Sequence, residues 1–503
     1  MERGMKAFIL AAGVGTRLQP LTDRKPKCLV RLCGKPLLEF QIEAYLKAGL
    51  KPGDIVLAAG YRADQVRAYL DRHYPGVILV ENKIYAETNN MYSLLQALNE
   101  AGPIDTDGII INNGDCVYDP EIIRRMVAAG GEDLVAAEKG RHLDESMKII
   151  VDDNKIKKIS KEITPDDAYG VSIDLYSLSS AATAKLVEIM NKIINIDGEK
   201  NLWTEVALQR LFEIHDFAPM DIESRNWVEI DNIDDLIIAD YMYSDFHLNG
   251  KKCIVSDLDG TVYLGREPIT ETIDFIKKKC GQLDFYYLTN NTSKTPADYI
   301  ERLSGLGLEV TADKILAPHI PLVSYLKEHD IKRLFLMANK RYTEFLSNMI
   351  PELEFTDKPE NCRAVVITYD TELTYNKLKT AALLLRDSRI SFLATHADKV
   401  CPTELGPIPD IGSILALLET ATGRTPEHIF GKPNRALLDP VLSSHSPDDI
   451  AVVGDRLYTD KELAEQAGVD FILVLSGETG RADVDSLERF PSLIVPHLGV
   501  LDR

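Results

Sequence analysis

Short apolar runs of strand length recur along the whole chain, and amphipathic stretches of helical period separate them. In the first half KAFILAA, DIVLAAG, VILVEN and GIIINNGD alternate with segments such as PLLEFQIEAYLKAGL. In the second half FYYLTNN, RLFLMAN, RAVVITYD, ISFLATHAD, IAVVGD and FILVLSG continue the rhythm. A strand that is apolar on both faces must be covered on both sides, and strand–helix–strand order achieves this with a parallel sheet between helical layers. The pattern predicts an α/β chain of largely parallel, doubly wound sheets.

At 503 residues the chain exceeds one hydrophobic core and calls for about two to four domains. The rhythm breaks in DYMYSDFHLNGKK and restarts at CIVSDLDGT, which puts the main boundary near residue 247, between a first domain over residues 1–245 and a second over 250–503. The 57 basic and 78 acidic residues leave a formal charge of −21, which repels nucleic acid and anionic membrane surfaces, so no nucleic-acid partner is expected. Neither an apolar run of about 18 residues nor a basic-then-apolar leader is present; the expectation is a cytoplasmic protein without membrane insertion. The seven cysteines, Cys28, Cys33, Cys116, Cys253, Cys280, Cys362 and Cys401, form no CxxC pair and read as reduced thiols. Cys28 and Cys33 lack the histidine or second cysteine pair that a metal site would need.

The stretch FILAAGVGTRLQP runs a strand into a glycine-rich turn ending on arginine. It lacks the lysine of a P-loop, and Leu18 stands where a dinucleotide fingerprint needs its third glycine. What remains is a loop in which Gly13 and Gly15 let backbone approach an anion, with Thr16 and Arg17 offering a hydroxyl and a guanidinium. Asp115, in NNGDCVY, follows an apolar strand where an open sheet presents metal ligands, and WVEIDNIDDL offers Glu229 and Asp231 from far along the chain. Glu229 to Asp235 can also be read as a solvated acidic turn.

LAAGVGTRLQPLTDRKPKCLV resembles the signature of the sugar-phosphate nucleotidyltransferases. The resemblance implies that Ala12, Gly13, Gly15 and Thr16 wrap a nucleotide, that Arg17 and Lys27 supply positive charge, and that Asp115 with a second carboxylate, Asp231 favoured, holds Mg²⁺. A phosphomonoester would attack the α-phosphorus and pyrophosphate would leave, which requires that kind of charge neutralisation. ENKIYAETNNMYSLLQA, DESMKIIVDDNKIKKISKEI and the Trp-Val-Glu-Ile-Asp segment resemble the phosphocholine cytidylyltransferase-like branch, which implies CTP as co-substrate. By that resemblance Asn89 and Asn90 lie near nucleotide and substrate, and Lys161 meets the acceptor phosphate; the bland alternative makes Lys148 and Lys161 exposed lysines at strand ends. Choline would call for a cage, for which Tyr85, Tyr92, Tyr169, Trp203 and Trp227 are available, though aromatic residues at such positions more often belong to a core. Polyol, inositol and aminoalkyl phosphates or phosphonates stay open as acceptors.

CIVSDLDGTVYLG places Asp257 and Asp259 after a second apolar strand, closed by Gly260 and Thr261. This resembles the first motif of the haloacid dehalogenase-like phosphatases, and Thr289 in YYLTNNTS, Lys432 in FGKPN, and Asp455 with Asp460 in VVGDRLYTD match the other three in order. The resemblance implies Asp257 as nucleophile, Asp259 as general acid and base, Thr289 and Lys432 as neutralisers of phosphoryl oxygens, and Asp257, Asp259 (through its carbonyl), Asp455 and Asp460 around Mg²⁺. An inserted α/β cap is expected over about residues 318–425. Its AVVITYDTELTYNKLKTAALLL, FLATHADKVCP and GSILALLETATGR resemble the NagD-like and 4-nitrophenylphosphatase-like branch, which includes phosphoglycolate, glycerol-phosphate and pyridoxal-phosphate phosphatases. That branch has Thr-Asn-x-Asp where this chain reads Thr395, His396, Ala397, Asp398, so His396 departs from the pattern; it alters the substrate or is simply a satisfied histidine.

Together these readings describe a bifunctional enzyme: CMP transfer to a small phosphorylated alcohol, and hydrolysis of a small phosphomonoester, with Mg²⁺ in both domains. UTP or GTP in place of CTP, and one domain serving as a nucleotide- or phosphate-sensing module, are the competing readings. A homo-oligomer stays open.

Overall fold

The computed structural model describes residues 4–101, 107–142, 146–401, 406 and 408–502; the opening Asp144 and Glu145 of the DESMK stretch and the closing Pro402 of FLATHADKVCP lie outside them. The chain divides into two compact units, Met1–Tyr243 with Asp485–Glu488, and Ser244–Val484 with Arg489–Arg503.

In the first unit the strand β1 (Met5–Ala11) lies at the centre of a mixed sheet. It pairs in parallel with β2 (Ile55–Ala59) and β4 (Gly108–Asn113), and β2 pairs in parallel with β3 (Ile78–Glu81). The period of two is plain in β1: Ala7 and Ile9 enter one apolar layer with Leu38, Ile42 and Tyr45 of helix α1 (Leu37–Lys47). Phe8 and Leu10 enter the opposite layer with Met91 and Leu94 of helix α2 (Asn90–Glu100).

The other half of this sheet departs from the parallel expectation. Strand β9 (Gly170–Ser179) runs antiparallel to β4, to β6 (Leu134–Lys139) and to β7 (Lys148–Asp152). The reason is local for one pair: β7 and β8 (Lys155–Ser160) are joined through Asp153 and Asn154, both at positive φ (47° and 58°), the geometry of a two-residue hairpin turn. A short strand pair, β5 (Cys116–Tyr118) with β11 (Trp227–Glu229), brings the WVEID segment beside Asp115, and helix α3 (Thr204–Phe212) and strand β10 (Ala218–Asp221, on β6) precede it.

The second unit matches the parallel expectation. Its core sheet has the order β14 (Ile315–Leu316), β13 (Asp284–Leu288), β12 (Cys253–Asp257), β20 (Ile450–Gly454), β21 (Asp470–Val474), β22 (Leu493–Val495), every pair parallel. Between β14 and β20 the chain builds a second parallel sheet, β16 (Glu354–Phe355), β15 (Arg333–Met337), β17 (Ala364–Ile367), β18 (Ser391–Ala394), β19 (His428–Ile429). Its last strand lies past residue 425, so the insertion runs slightly longer than the sequence suggests. Among the described residues no helix is long and apolar enough to cross a membrane.

Candidate active sites

The first unit holds a cavity of about 380 Å³ at the carboxyl ends of β1 and β4. The loop after β1 forms one wall. Gly15 adopts φ 71°, Leu18 is fully buried beneath, and Leu18 N–H and Thr22 Oγ1 both donate to the Gly15 carbonyl at 3.0 and 2.8 Å. These bonds hold Ala12, Gly13, Thr16 and Arg17 along the cavity, with open space where a Gly13 side chain would stand.

Carboxylates share the cavity with this loop. Asp115, Glu229 and Asp231 each offer an oxygen within 4.8 Å of the others, a donor set of the hard oxygen type that suits a divalent cation. Lys27 Nζ lies 2.7 Å from Asp115 and 3.2 Å from Asp231, and Arg17 lies 2.9 Å from Asp231. Burial alone would lower the Lys27 ammonium's pKa, but the two aspartates more than offset this and hold it above its usual value. Glu229 makes no ion pair among the described residues; burial first, then repulsion from Asp115 and Asp231, outweighs the pull of Lys27 and pushes it up to about 7.

Asn89 caps α2, and Asn90 ties that helix to its neighbours: its Oδ1 accepts from Thr204 N–H at 2.9 Å. Both asparagines and Lys161 line the cavity, Lys161 with its ammonium 5.1 Å from the Trp203 ring. Of the five aromatic residues considered for a cage, Tyr85 and Trp203 line this cavity, whereas Tyr92, Tyr169 and Trp227 do not. Trp227 is a buried core residue whose indole N–H donates to Glu138 at 2.6 Å. Lys148 is buried, not an exposed strand end, while Lys161 is exposed.

Two acids of the cavity are absent from the sequence reading. Asp174 interrupts β9 at φ 55°, where the register to β6 shifts, and Glu205 stands in the first turn of α3. Tyr176 O–H lies 3.2 Å from both carboxylates; burial raises the pKa of each acid, with repulsion from Glu205 adding to it at Asp174 and repulsion from Asp115 at Glu205. A lone acid in the apolar run GVSIDLYSL was the available signal.

The second unit's cavity, about 50 Å³, sits over the carboxyl end of β12 between core and cap. Asp257, Asp259, Thr289 and Lys432 line it. The turn after Asp257 needs glycine at 260: φ is 87°, and the Asp455 carboxylate occupies the space a Cβ would take. Lys432 is 2 % exposed, with Nζ 2.6 Å from Asp257 Oδ1 and 2.6 Å from Asp460 Oδ1. Burial works against the ammonium, yet the two aspartates keep its pKa raised. Burial first, then Asp460 and Asp455, pushes Asp257 up to about 8 despite Lys432, and burial followed by Asp460 pushes Asp455 to about 6.

Asp257, Asp455 and Asp460 place oxygens within 4.8 Å of one another, and Asp455 Oδ1 is buried without a partner. A cluster of acids that repel one another around an orphaned oxygen fits a divalent cation. Asp259 stands apart, its Oδ1 accepting from Gly265 N–H at 3.3 Å. Asn290 is a further element: its Oδ1 accepts the Lys432 backbone N–H at 2.7 Å while its Nδ2 donates to Asp398 at 3.2 Å. Arg456 lies 3.7 Å from Asp398 and 2.9 Å from Glu478.

A strand ending in a buried aspartate, a buried lysine bonded to it and an acidic cluster under an inserted cap fit a phosphatase of the haloacid dehalogenase type, joined to a nucleotidyltransferase-like unit. The chain belongs to the haloacid dehalogenase-like hydrolases: that family matches residues 254–349 and a related HAD-hydrolase-like family residues 429–501, while the MobA-like NTP transferase domain matches residues 7–172. It is 30% identical to an acid sugar phosphatase of Staphylococcus haemolyticus over 250 residues, 48% of this chain and 92% of that protein. It is 32% identical to a D-glycerol 3-phosphate phosphatase of Mycobacterium tuberculosis over 236 residues, 45% of this chain and 63% of that one. Among solved structures, a 4-nitrophenylphosphatase from Thermotoga maritima is similar at 34% identity, covering 51% of this chain and 99% of that one with a TM-score of 0.47.

Proposed function

We propose that residues 1–245 transfer CMP from CTP to a small phosphorylated alcohol, releasing pyrophosphate, and that residues 250–503 hydrolyse a small phosphomonoester, both with Mg²⁺ and in the cytoplasm. The observation that carries the first half is Lys27, packed beside Gly15 of the loop and ion-paired to Asp115 and Asp231 from segments far apart in sequence, with Arg17 also paired to Asp231. Cations able to bind phosphate oxygens and carboxylates able to bind a metal ion thus meet in one cavity. Ala12, Gly13, Gly15 and Thr16 then cradle the triphosphate, Arg17 and Lys27 bind its oxygens, and Asn89, Asn90 and Lys161 orient the two substrates. Asp115 and Asp231 would hold Mg²⁺, which neutralises phosphate charge when bound.

In the second half Asp257 attacks phosphorus and forms an aspartyl-phosphate; Asp259 protonates the leaving oxygen and then takes a proton from water. Thr289 and Lys432 neutralise phosphoryl oxygens. Asp257, Asp455, Asp460 and the Asp259 carbonyl would hold the cation, whose charge would favour the ionised form of Asp257 against the burial that raises its pKa. The names of the similar proteins, acid sugar and glycerol phosphate phosphatases, support a small polyol or sugar phosphate as substrate.

The decisive experiment measures pyrophosphate release from each of the four NTPs with a panel of phosphomonoesters, using Asp257→Asn protein so that hydrolysis cannot consume the acceptors. Release with CTP and one acceptor is expected. Preference for UTP or GTP would overturn the nucleotide assignment, and no release from protein that still binds nucleotide would make the first unit a sensing module.

A further inference from the structure

His396, the residue at which the cap departs from the branch's pattern, has a partner in the structure: its Nε2 lies 3.0 Å from Asp410 Oδ1, with both side chains buried. Asp410 also caps the twelve-residue helix α4 (Ile411–Thr422), the same oxygen accepting Ile411 N–H at 2.6 Å. Backbone bonds stitch this helix end to the 396–399 loop: Asp410 N–H donates to the Lys399 carbonyl at 3.1 Å and Gly412 N–H to the Asp398 carbonyl at 2.8 Å. Glycine is required at 412, where a Cβ would run into the Ala397 carbonyl, and at 431, where it would meet His396 Cβ at 2.8 Å. The pair is therefore held in place by its surroundings.

A carboxylate only accepts, so Nε2 carries the proton and His396 donates. His396 Nδ1 is buried without a partner, which leaves orienting Asp410 as the ring's polar contact among the described residues. Asp410 lines the same cavity as Asp257 and Asp259. Two of the cations that line this cavity are engaged elsewhere: Lys432 with Asp257 and Asp460, Arg456 with Asp398 and Glu478. The second Asp410 oxygen takes no donor from the described residues.

We propose that Asp410, oriented by His396, determines the leaving group of the hydrolysed ester: it accepts a hydrogen bond from a hydroxyl of a polyol phosphate and repels carboxylate-bearing esters. This rests on the hydrolytic reading of the second unit. A hydroxyl donor gains a charge-assisted bond in a confined cavity, whereas a second carboxylate there meets a like charge. Lys294 also lines the cavity and would attract such a carboxylate, so the two preferences are opposed and measurable.

The test compares kcat/KM for glycerol phosphate, phosphoglycolate and 4-nitrophenyl phosphate with Mg²⁺. Wild type is expected to favour glycerol phosphate over phosphoglycolate. Asp410→Asn, which retains a good helix cap, should lower glycerol phosphate about 10- to 100-fold relative to 4-nitrophenyl phosphate and raise phosphoglycolate relative to it. His396→Gln, which can still donate, should keep the wild-type ratio; His396→Leu should shift it toward that of Asp410→Asn, and the double variant should go no further than Asp410→Asn alone. Equal changes on all three esters, or a wild-type preference for phosphoglycolate, overturns the proposal while leaving the phosphatase intact. Wild-type protein that hydrolyses none of the three overturns the hydrolytic reading and the proposal with it.

Discussion

Lys432 Nζ lies 2.6 Å from Asp257 Oδ1, in a site where both side chains are almost wholly removed from solvent. The same ammonium reaches Asp460 at 2.6 Å, so a single cation compensates two buried carboxylates. Removing one partner from such a group leaves charge stranded in a poorly polarisable interior, which is more damaging than never having placed it there.

Lys432→Met should therefore lose about 3–5 kcal/mol of stability as well as at least about 1,000-fold in hydrolysis. Thermal unfolding and 4-nitrophenyl phosphate turnover check the two effects. Lys432→Arg should not restore activity, since a planar guanidinium cannot occupy the point between two carboxylates that the ammonium fills. Recovery by arginine would show that charge alone suffices.

Asp257→Asn should abolish hydrolysis while leaving pyrophosphate release within about twofold of wild type, because Asp257 lines the second unit's cavity and the nucleotide loop lines the first's. Parallel assays on one preparation decide it. A comparable fall in both activities would mean that the two chemistries share a group.

The three carboxylates that share the cavity with the nucleotide loop should not be equivalent. Asp115 and Asp231 are held by cations, whereas burial and repulsion from those two aspartates push Glu229 up to about 7. Asp115→Asn and Asp231→Asn are each expected to cut pyrophosphate release about 100- to 1,000-fold and to raise the Mg²⁺ concentration needed. Glu229→Gln should cost less than about tenfold. Mg²⁺ titrations of the three variants rank them, and a Glu229→Gln defect as deep as that of Asp231→Asn would move the ligand assignment.

His319, 6 % exposed at the start of the helix His319–Glu328 and edge-on to Phe345, is lowered by burial to about 4. A histidine depressed in the folded state leaves stability intact above the unfolded value near 6.5 and removes it as pH falls toward 4, because only the unfolded chain takes the proton readily. The second unit should thus lose about 2–3 kcal/mol through this group between pH 7 and pH 4. His319→Leu should flatten that part of the profile, as read from denaturant unfolding at a series of pH values; an unchanged slope would rule the group out.

What the chain order alone determined here is whatever depends on near neighbours in sequence. Strands such as Cys253–Asp257 and Ile450–Gly454 are legible because continuous apolar runs with acidic ends admit few other conformations. Asp115, Asp257 and Asp455 are legible because each stands at or just past the end of such a strand. The hairpin at Asp153–Asn154 was also written locally, in two residues that tolerate positive φ.

Only the tertiary structure decided which distant groups meet. Asp174 and Glu205 read as an odd acid in a strand and a routine first-turn acid in a helix until the strand bulge and α3 turn both into one cavity. Likewise, His396 stood out in the sequence without a purpose. Asp410, fourteen residues on by number, became its partner because close packing around two glycines joins the loop to the helix end. Pair contacts of this kind depend on how elements pack, and no periodicity or spacing along the chain encodes them.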